Sequence, residues 1–123
     1  MLKPIIILNL KAYREAMGMH VYSILDVVEN VAKEFPRIYF VIAPNVLYLK
    51  DLAERKHKSL IFAQHADPVP YGARTGHIPI NSLKLIGVDG FILNHSERKV
   101  SFDTIVKAVD CLLYTSPSPR DRG

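Results

Sequence analysis

One pattern constrains the fold of this chain more than any other: a short apolar run followed by an amphipathic stretch, four times over. The apolar runs are 5–8, 38–43, 60–63 and 90–93. After the first run, Val21, Ile24, Leu25, Val28, Val31, Ala32 and Phe35 recur at the three-four spacing of one helix face, and Pro36 stops that helix. Asn45 can cap a helix over 45–55, and Pro79 suits the first turn of a short helix that stops at Gly87. Ser101 can cap a fourth helix over 102–110, with Asp103 favourable in its first turn. The four runs are apolar throughout rather than alternating, as expected for strands covered on both faces. Such strands form parallel sheets with right-handed helical crossovers. The fold class is therefore α/β, a (βα)4 unit.

Four such units fit either a small doubly wound domain or half of a (βα)8 barrel. Reactive side chains decide for the barrel. Asn9, Lys11, Gln64, His65 and His95 all follow strand C-termini, and a barrel brings those ends to one rim. An open doubly wound sheet gathers fewer of them. The first strand also lacks the glycine-rich turn of a dinucleotide site.

Composition narrows the function classes. The chain has 123 residues, 49% of them hydrophobic, with mean hydropathy +0.10, which suits one small globular domain. No apolar run approaches the roughly 18 residues of a spanning helix, and Asn9 and Lys11 interrupt the first run too early for a signal peptide. A cytoplasmic protein, with no membrane partner, is expected. The formal charge is +4, but Lys and Arg are scattered among acids, without the basic and aromatic interleaving of nucleic-acid binders. No nucleic-acid partner is expected.

Residues 111–123 read differently. Helical periodicity stops at Asp110, the only cysteine appears at Cys111, and a Thr-Ser-Pro-Ser-Pro-Arg string follows. The string resembles one translated frame of a transposon-type sequencing adapter. The native domain is expected to span 1–110, with 111–123 a non-native read-through and the domain cut within an element.

The richest segment is Phe91-Ile92-Leu93-Asn94-His95-Ser96-Glu97-Arg98, where a strand delivers an imidazole, a hydroxyl, a carboxylate and a guanidinium in sequence. Three further motifs accompany it: Asn9-x-Lys11-x-Tyr13, Ala63-Gln64-His65-x-Asp67-Pro68, and Gly72-Ala73-Arg74-Thr75-Gly76-His77. In this order and register they resemble the triosephosphate isomerase family, most closely its archaeal-type branch. The resemblance implies the N-terminal half of a TIM barrel. It implies an aldose-ketose isomerase that interconverts dihydroxyacetone phosphate and glyceraldehyde 3-phosphate through an enediolate, in glycolysis and gluconeogenesis. His95 is then the electrophile, Lys11 a fixed cation for substrate and enediolate, and Asn9 a substrate-side residue that positions Lys11. Glu97 takes a catalytic or ion-pairing role. The resemblance implies no metal and no cofactor. It also implies a homodimer or tetramer, in which the 65–78 loop enters a neighbour's site with Thr75, Gln64 and His65 at the interface. The family's base glutamate, closing lid and phosphate-binding turns belong to the other half of the barrel, so this chain is expected to be inactive alone.

Other readings of the same residues stand beside this one. His65, Asp67, His77 and His95 can be read as metal ligands, although no local spacing matches a zinc site. Glu97 and Arg98 can be a plain surface pair. A non-catalytic (βα)4 binding or assembly module keeps the length, and another phosphate-handling barrel enzyme keeps the fold.

Overall fold

The computed structural model describes residues 3–115, with side chains to residue 109. Its strands are β1 (Ile5–Asn9), β2 (Tyr39–Ala43), β3 (Leu60–Ala63) and β4 (Gly90–Phe91). Its helices are α1 (Met19–Glu34), α2 (Leu49–Arg55), α3 (Ile80–Leu85) and α4 (Phe102–Thr115). Every strand pairing is parallel and the spatial order is β1-β2-β3-β4. That order settles the architecture. A doubly wound sheet must reverse its strand order somewhere to cover both faces. Right-handed crossovers in unbroken sequence order put every helix on one face, as in the wall of a barrel. The chain is a four-stranded half of a TIM-type α/β barrel.

Register assigns the two faces. Ile42 lies opposite Ile61, and Ala63 opposite Phe91; all four belong to the helix-side core with Val21, Leu25, Leu49, Leu52 and Leu83. The concave face carries Phe62 opposite Gly90. Gly90 gives the Phe62 ring its room: a Cβ would stand 2.8 Å from that ring, which would have to shift.

The strands are not uniformly covered. Val41, Ile42 and Ala43 of β2 are fully buried, but Ile5, Ile6, Ile7 and Leu8 of β1 are 42–60% exposed on both faces. This corrects the expectation that each apolar run is enclosed. β1 is an edge strand, and α1 packs over β2 rather than over it. The ladder of β4 ends at Phe91, two residues before the apolar run does, although Ile92 N–H still donates to the Ala63 carbonyl at 2.8 Å. Among the described residues, no strand lies on the far side of β4 to extend the ladder. The helix expected over 45–55 divides into a 3₁₀ turn, Val46–Tyr48, and α2; Asn45 caps the turn by accepting from Leu47 N–H at 3.1 Å. Ser101 caps α4 through Thr104 N–H at 3.1 Å, as its position suggested. α4 continues past Asp110 to Thr115, and the rest of the tail, 116–123, lies outside the described residues.

Candidate functional site

The rim site begins where β1 ends. The Asn9 side-chain oxygen turns back on the chain and accepts Lys11 N–H at 3.0 Å. This small turn holds Lys11 at φ 52, a left-handed conformation that costs a side-chain-bearing residue about 1–2 kcal/mol. A second clip comes from β3. The Gln64 amide donates to the Lys11 carbonyl at 2.9 Å and the Ala43 carbonyl at 3.0 Å, with Asn9 Oδ1 a longer contact at 3.4 Å. Gln64 thus ties the ends of β1, β2 and β3 together. The strain at Lys11 persists because three elements impose it.

The other side of the rim follows β4. Asn94 also has positive φ, at 59°, and its side-chain oxygen accepts Val100 N–H at 3.1 Å. Asparagine tolerates this region better than most residues. The chain then closes a single turn, with Arg98 N–H on the His95 carbonyl at 2.8 Å. This turn is isolated and does not continue into a helix. Within it, Glu97 N–H points at His95 Nδ1, 3.1 Å away. A backbone N–H can only donate, so Nδ1 accepts, and the neutral ring then carries its hydrogen on Nε2. Glu97 Oε1 also lies 3.4 Å from Nδ1, a contact that would bind a proton there only if the backbone donor were displaced.

Glu97 joins the two sides. Its Oε2 lies 3.2 Å from Lys11 Nζ, with both side chains partly exposed. That hydrogen bond and charge, followed by the Tyr13 ring, push the Lys11 ammonium above its ordinary 10.5. Asn9, Lys11, Tyr13, Gln64, His95 and Glu97 line a cleft of about 500 Å³, within the range of small-molecule sites.

His65 lines the same cleft but is 7% exposed, and its Nε2 engages Asp67 Oδ1 at 2.8 Å. Asp67 Oδ2 accepts Ile78 N–H at 2.7 Å, and Asp67 N–H donates to the Ile78 carbonyl, also at 2.7 Å. Burial raises the Asp67 carboxyl, but the Ile78 N–H and the His65 ring outweigh it and hold the group below its ordinary value. Asp67 therefore clasps the base of the long loop. The tip, 71–77, is exposed, and Thr75 lies there, away from the cleft of its own chain.

The structure thus brings together Asn9, Lys11, Gln64, His95 and Glu97, places His65 at their margin, and leaves Thr75 apart. It adds two contributions that motif reading left unassigned. Tyr13 sets its ring 5.7 Å from Lys11 Nζ, and Asn94 anchors the turn that presents His95. Two left-handed residues cannot be read from sequence, although an asparagine just before a site histidine was a hint. Among the described residues, no group of three or more His, Cys, Asp or Glu is gathered to hold a metal ion, and no helix is long and apolar enough to cross a membrane.

Comparison with known proteins agrees with this geometry. The sequence model of the triosephosphate isomerase family matches residues 4–115. A triosephosphate isomerase of Caldivirga maquilingensis is 39% identical over 107 residues, which are 87% of this chain and 47% of the relative. The proteins of that name from Pyrobaculum islandicum and Thermoplasma volcanium are 40% and 41% identical, over 85% of this chain and 44% and 46% of their own lengths. The chain spans about half the length of the curated relatives it matches.

Proposed function

The chain belongs to the triosephosphate isomerase family, and we propose that its rim supplies half of a site interconverting dihydroxyacetone phosphate and glyceraldehyde 3-phosphate. One observation carries the residue roles. A single residue, Glu97, fixes both partners of the chemistry: its N–H sits on His95 Nδ1 and its carboxylate on Lys11 Nζ.

That reaction moves a proton between adjacent carbons while an oxygen becomes anionic. The catalyst must place donors where that charge develops. His95, with Nδ1 occupied by a backbone donor, presents Nε2–H to the oxygen as a neutral imidazole. This enzyme is the standard example of a neutral histidine electrophile working with a glutamate base. Lys11 brings a fixed positive charge to the same space, and Asn9 with Gln64 holds its backbone in place. The Asn9 amide nitrogen remains for the substrate oxygen. Glu97 orients Lys11, and substrate exchanges that contact for its own. These steps call on no metal or cofactor. The full-length protein is a homodimer or tetramer in this reading, with the exposed Thr75 loop reaching a neighbouring subunit.

The 123-residue polypeptide is inactive by itself in this reading. Its rim supplies donors, and among the described residues no carboxylate lines the cleft except Glu97, which is engaged by Lys11. Losing a general base costs about 10²–10⁴ in rate, and loss of the phosphate grip adds to it.

A chimera tests both parts. Residues 1–110 joined to the complementary half of the Caldivirga relative should isomerise triose phosphate, and His95→Ala in that chimera should lower kcat by about 10²–10⁴. The 123-residue chain should show no turnover. A folded but inert chimera would sink the roles, and turnover by the chain alone would sink the inactivity.

A further inference from the structure

The outer wall of the half-barrel carries a second cleft, away from the rim. It runs between α1 and the C-terminal end of α2 and has a volume of about 420 Å³, within the range of small-molecule sites. α1 forms one side with Tyr22, Asp26, Asn30 and Lys33, a single stripe at i, i+4, i+8 and i+11. Arg55, the last residue of α2, and His57, just beyond it, form the other. Both walls come from adjacent βα units, so the cleft does not lie on a free edge of the sheet.

The cations of this cleft are held but not paired. Arg55 sets its guanidinium carbon 4.4 Å from the centroid of the Tyr22 ring. The Tyr22 hydroxyl donates to Asp51 at 2.8 Å, which fixes the ring from α2. Stacking holds a guanidinium in place without using its N–H donors. Among the described residues, no carboxylate stands within ion-pair distance of Arg55, Lys33 or the His57 ring. Their neighbours Lys50 and Lys56, by contrast, are paired with Glu54 and Asp89. Lys33 and Arg55 also suit the last turns of their helices, but that effect engages no N–H group. Two carboxylates line the cleft. Glu29 is saturated by the N–H groups of His57, Lys58 and Ser59 and by the Ser59 hydroxyl, which leaves Asp26 as the one open acidic group.

We propose that this cleft binds the phosphate group of a small anion, held by the Arg55 fork from one wall and Lys33 Nζ from the other. Asn30 and His57 supply further donors. A guanidinium matches two phosphate oxygens at once, and a lysine adds a point charge. Arg55 is already ordered on Tyr22, so it gives up little freedom on binding. Asp26 opposes the charge of the ligand and limits its affinity. The site shares no residue with the rim and does not depend on the isomerase reading.

Amide NMR titrations of the 123-residue chain with inorganic phosphate and with ribose 5-phosphate, at neutral pH and constant ionic strength, test the site. Residues 30–33 and 55–57 should shift and saturate, with Kd about 1 mM or tighter. Arg55→Gln and Lys33→Gln should each weaken binding about fivefold or more, and Arg55→Lys, which keeps the charge but loses the fork, about threefold. Lys50→Gln removes the same charge from outside the cleft and should leave binding within about twofold. Asp26→Asn should tighten it about twofold or more. Neither Lys33 nor Asp26 has an ion-pair partner among the described residues, so these two variants decide the matter if Arg55→Gln disturbs the fold. Tighter binding of the ester assigns the site to an organic phosphate, and tighter binding of inorganic phosphate to the free ion. Shifts confined to the rim, a lack of saturation, or equal weakening by Lys50→Gln and Lys33→Gln would each overturn the proposal.

Discussion

At the lower end of β3, the Glu29 carboxylate of α1 is 8% exposed and accepts N–H groups from His57, Lys58 and Ser59 at 2.7–3.1 Å, with the Ser59 hydroxyl as a fourth donor. At the upper end, Lys11 and Asn94 sit in left-handed backbone and an exposed ion pair crosses the cleft. Both ends use charged side chains, but for opposite purposes. The lower carboxylate is buried with every oxygen satisfied, and it locks α1 to the entry of β3. Asp89 helps there, taking Ile61 N–H at 2.9 Å and Lys56 Nζ at 3.0 Å. The upper groups hold strain and leave charge open to solvent and ligand. This is the division a barrel imposes: one face keeps the strands in place, the other does chemistry.

The strongest test of that division is Glu29→Gln. The amide keeps the volume but turns an NH₂ toward two of the backbone donors, whichever oxygen it replaces. Removing an acceptor from buried donors should cost about 3 kcal/mol, a large share of a small domain's stability, and lower Tm by about 10–20 °C at fixed protein concentration. A pH series sharpens it. Burial pushes the Glu29 carboxyl up, but the Ser59 hydroxyl and the N–H groups of Lys58, Ser59 and His57 together pull it below its ordinary 4.5. The folded state therefore binds this proton more weakly than the unfolded chain. The stabilisation is complete above about pH 4.5 and drains away as pH falls toward the depressed folded value. Asp67, held below 3.8, adds loss at still lower pH. Urea midpoints of wild type and variant should converge below pH 4.5; parallel curves would mean that Glu29 is not the lock.

Much of this was legible in the sequence, for identifiable reasons. Apolar runs and three-four spacing placed the strands and helices because those periods are set by backbone geometry. The rim residues followed because strand ends carry the chemistry in parallel α/β folds. Glu29 was missed although it left a signal: Val21, Leu25 and Glu29 share one buried stripe, and a carboxylate on such a stripe needs a partner. The bareness of β1 was invisible, since Ile-Ile-Ile-Leu reads as a covered strand and cover is a property of neighbours. Gln64 was assigned to a subunit contact, whereas its amide is spent within its own chain, and no local pattern reveals a clip between strand ends 21 and 53 residues away in sequence.

Strain at the rim predicts a smaller effect with an unusual sign. Glycine normally destabilises relative to alanine. At position 11, where φ is 52, alanine keeps the penalty and glycine removes it. Lys11→Gly should therefore be more stable than Lys11→Ala by about 1 kcal/mol in urea unfolding, while both lose the cleft cation. The opposite order would show that the Asn9 and Gln64 clips do not impose the conformation.

The smallest effect should come from the feature that looks most electrostatic. The Lys11–Glu97 pair has side-chain exposures of 34% and 54%, so water and salt screen it. Glu97→Gln should change stability by less than about 0.5 kcal/mol, and less still in high salt. The Lys11 ammonium should fall back toward 10.5 in an NMR titration, since Glu97 is the main cause of its elevation. The His95 tautomer should not move, because its Nδ1 partner is the backbone N–H of residue 97, which the substitution keeps. A loss comparable to that of Glu29→Gln would mean that the rim, too, holds the sheet together. A small loss with a relaxed Lys11 would show that this carboxylate serves the charge of the cleft rather than the fold.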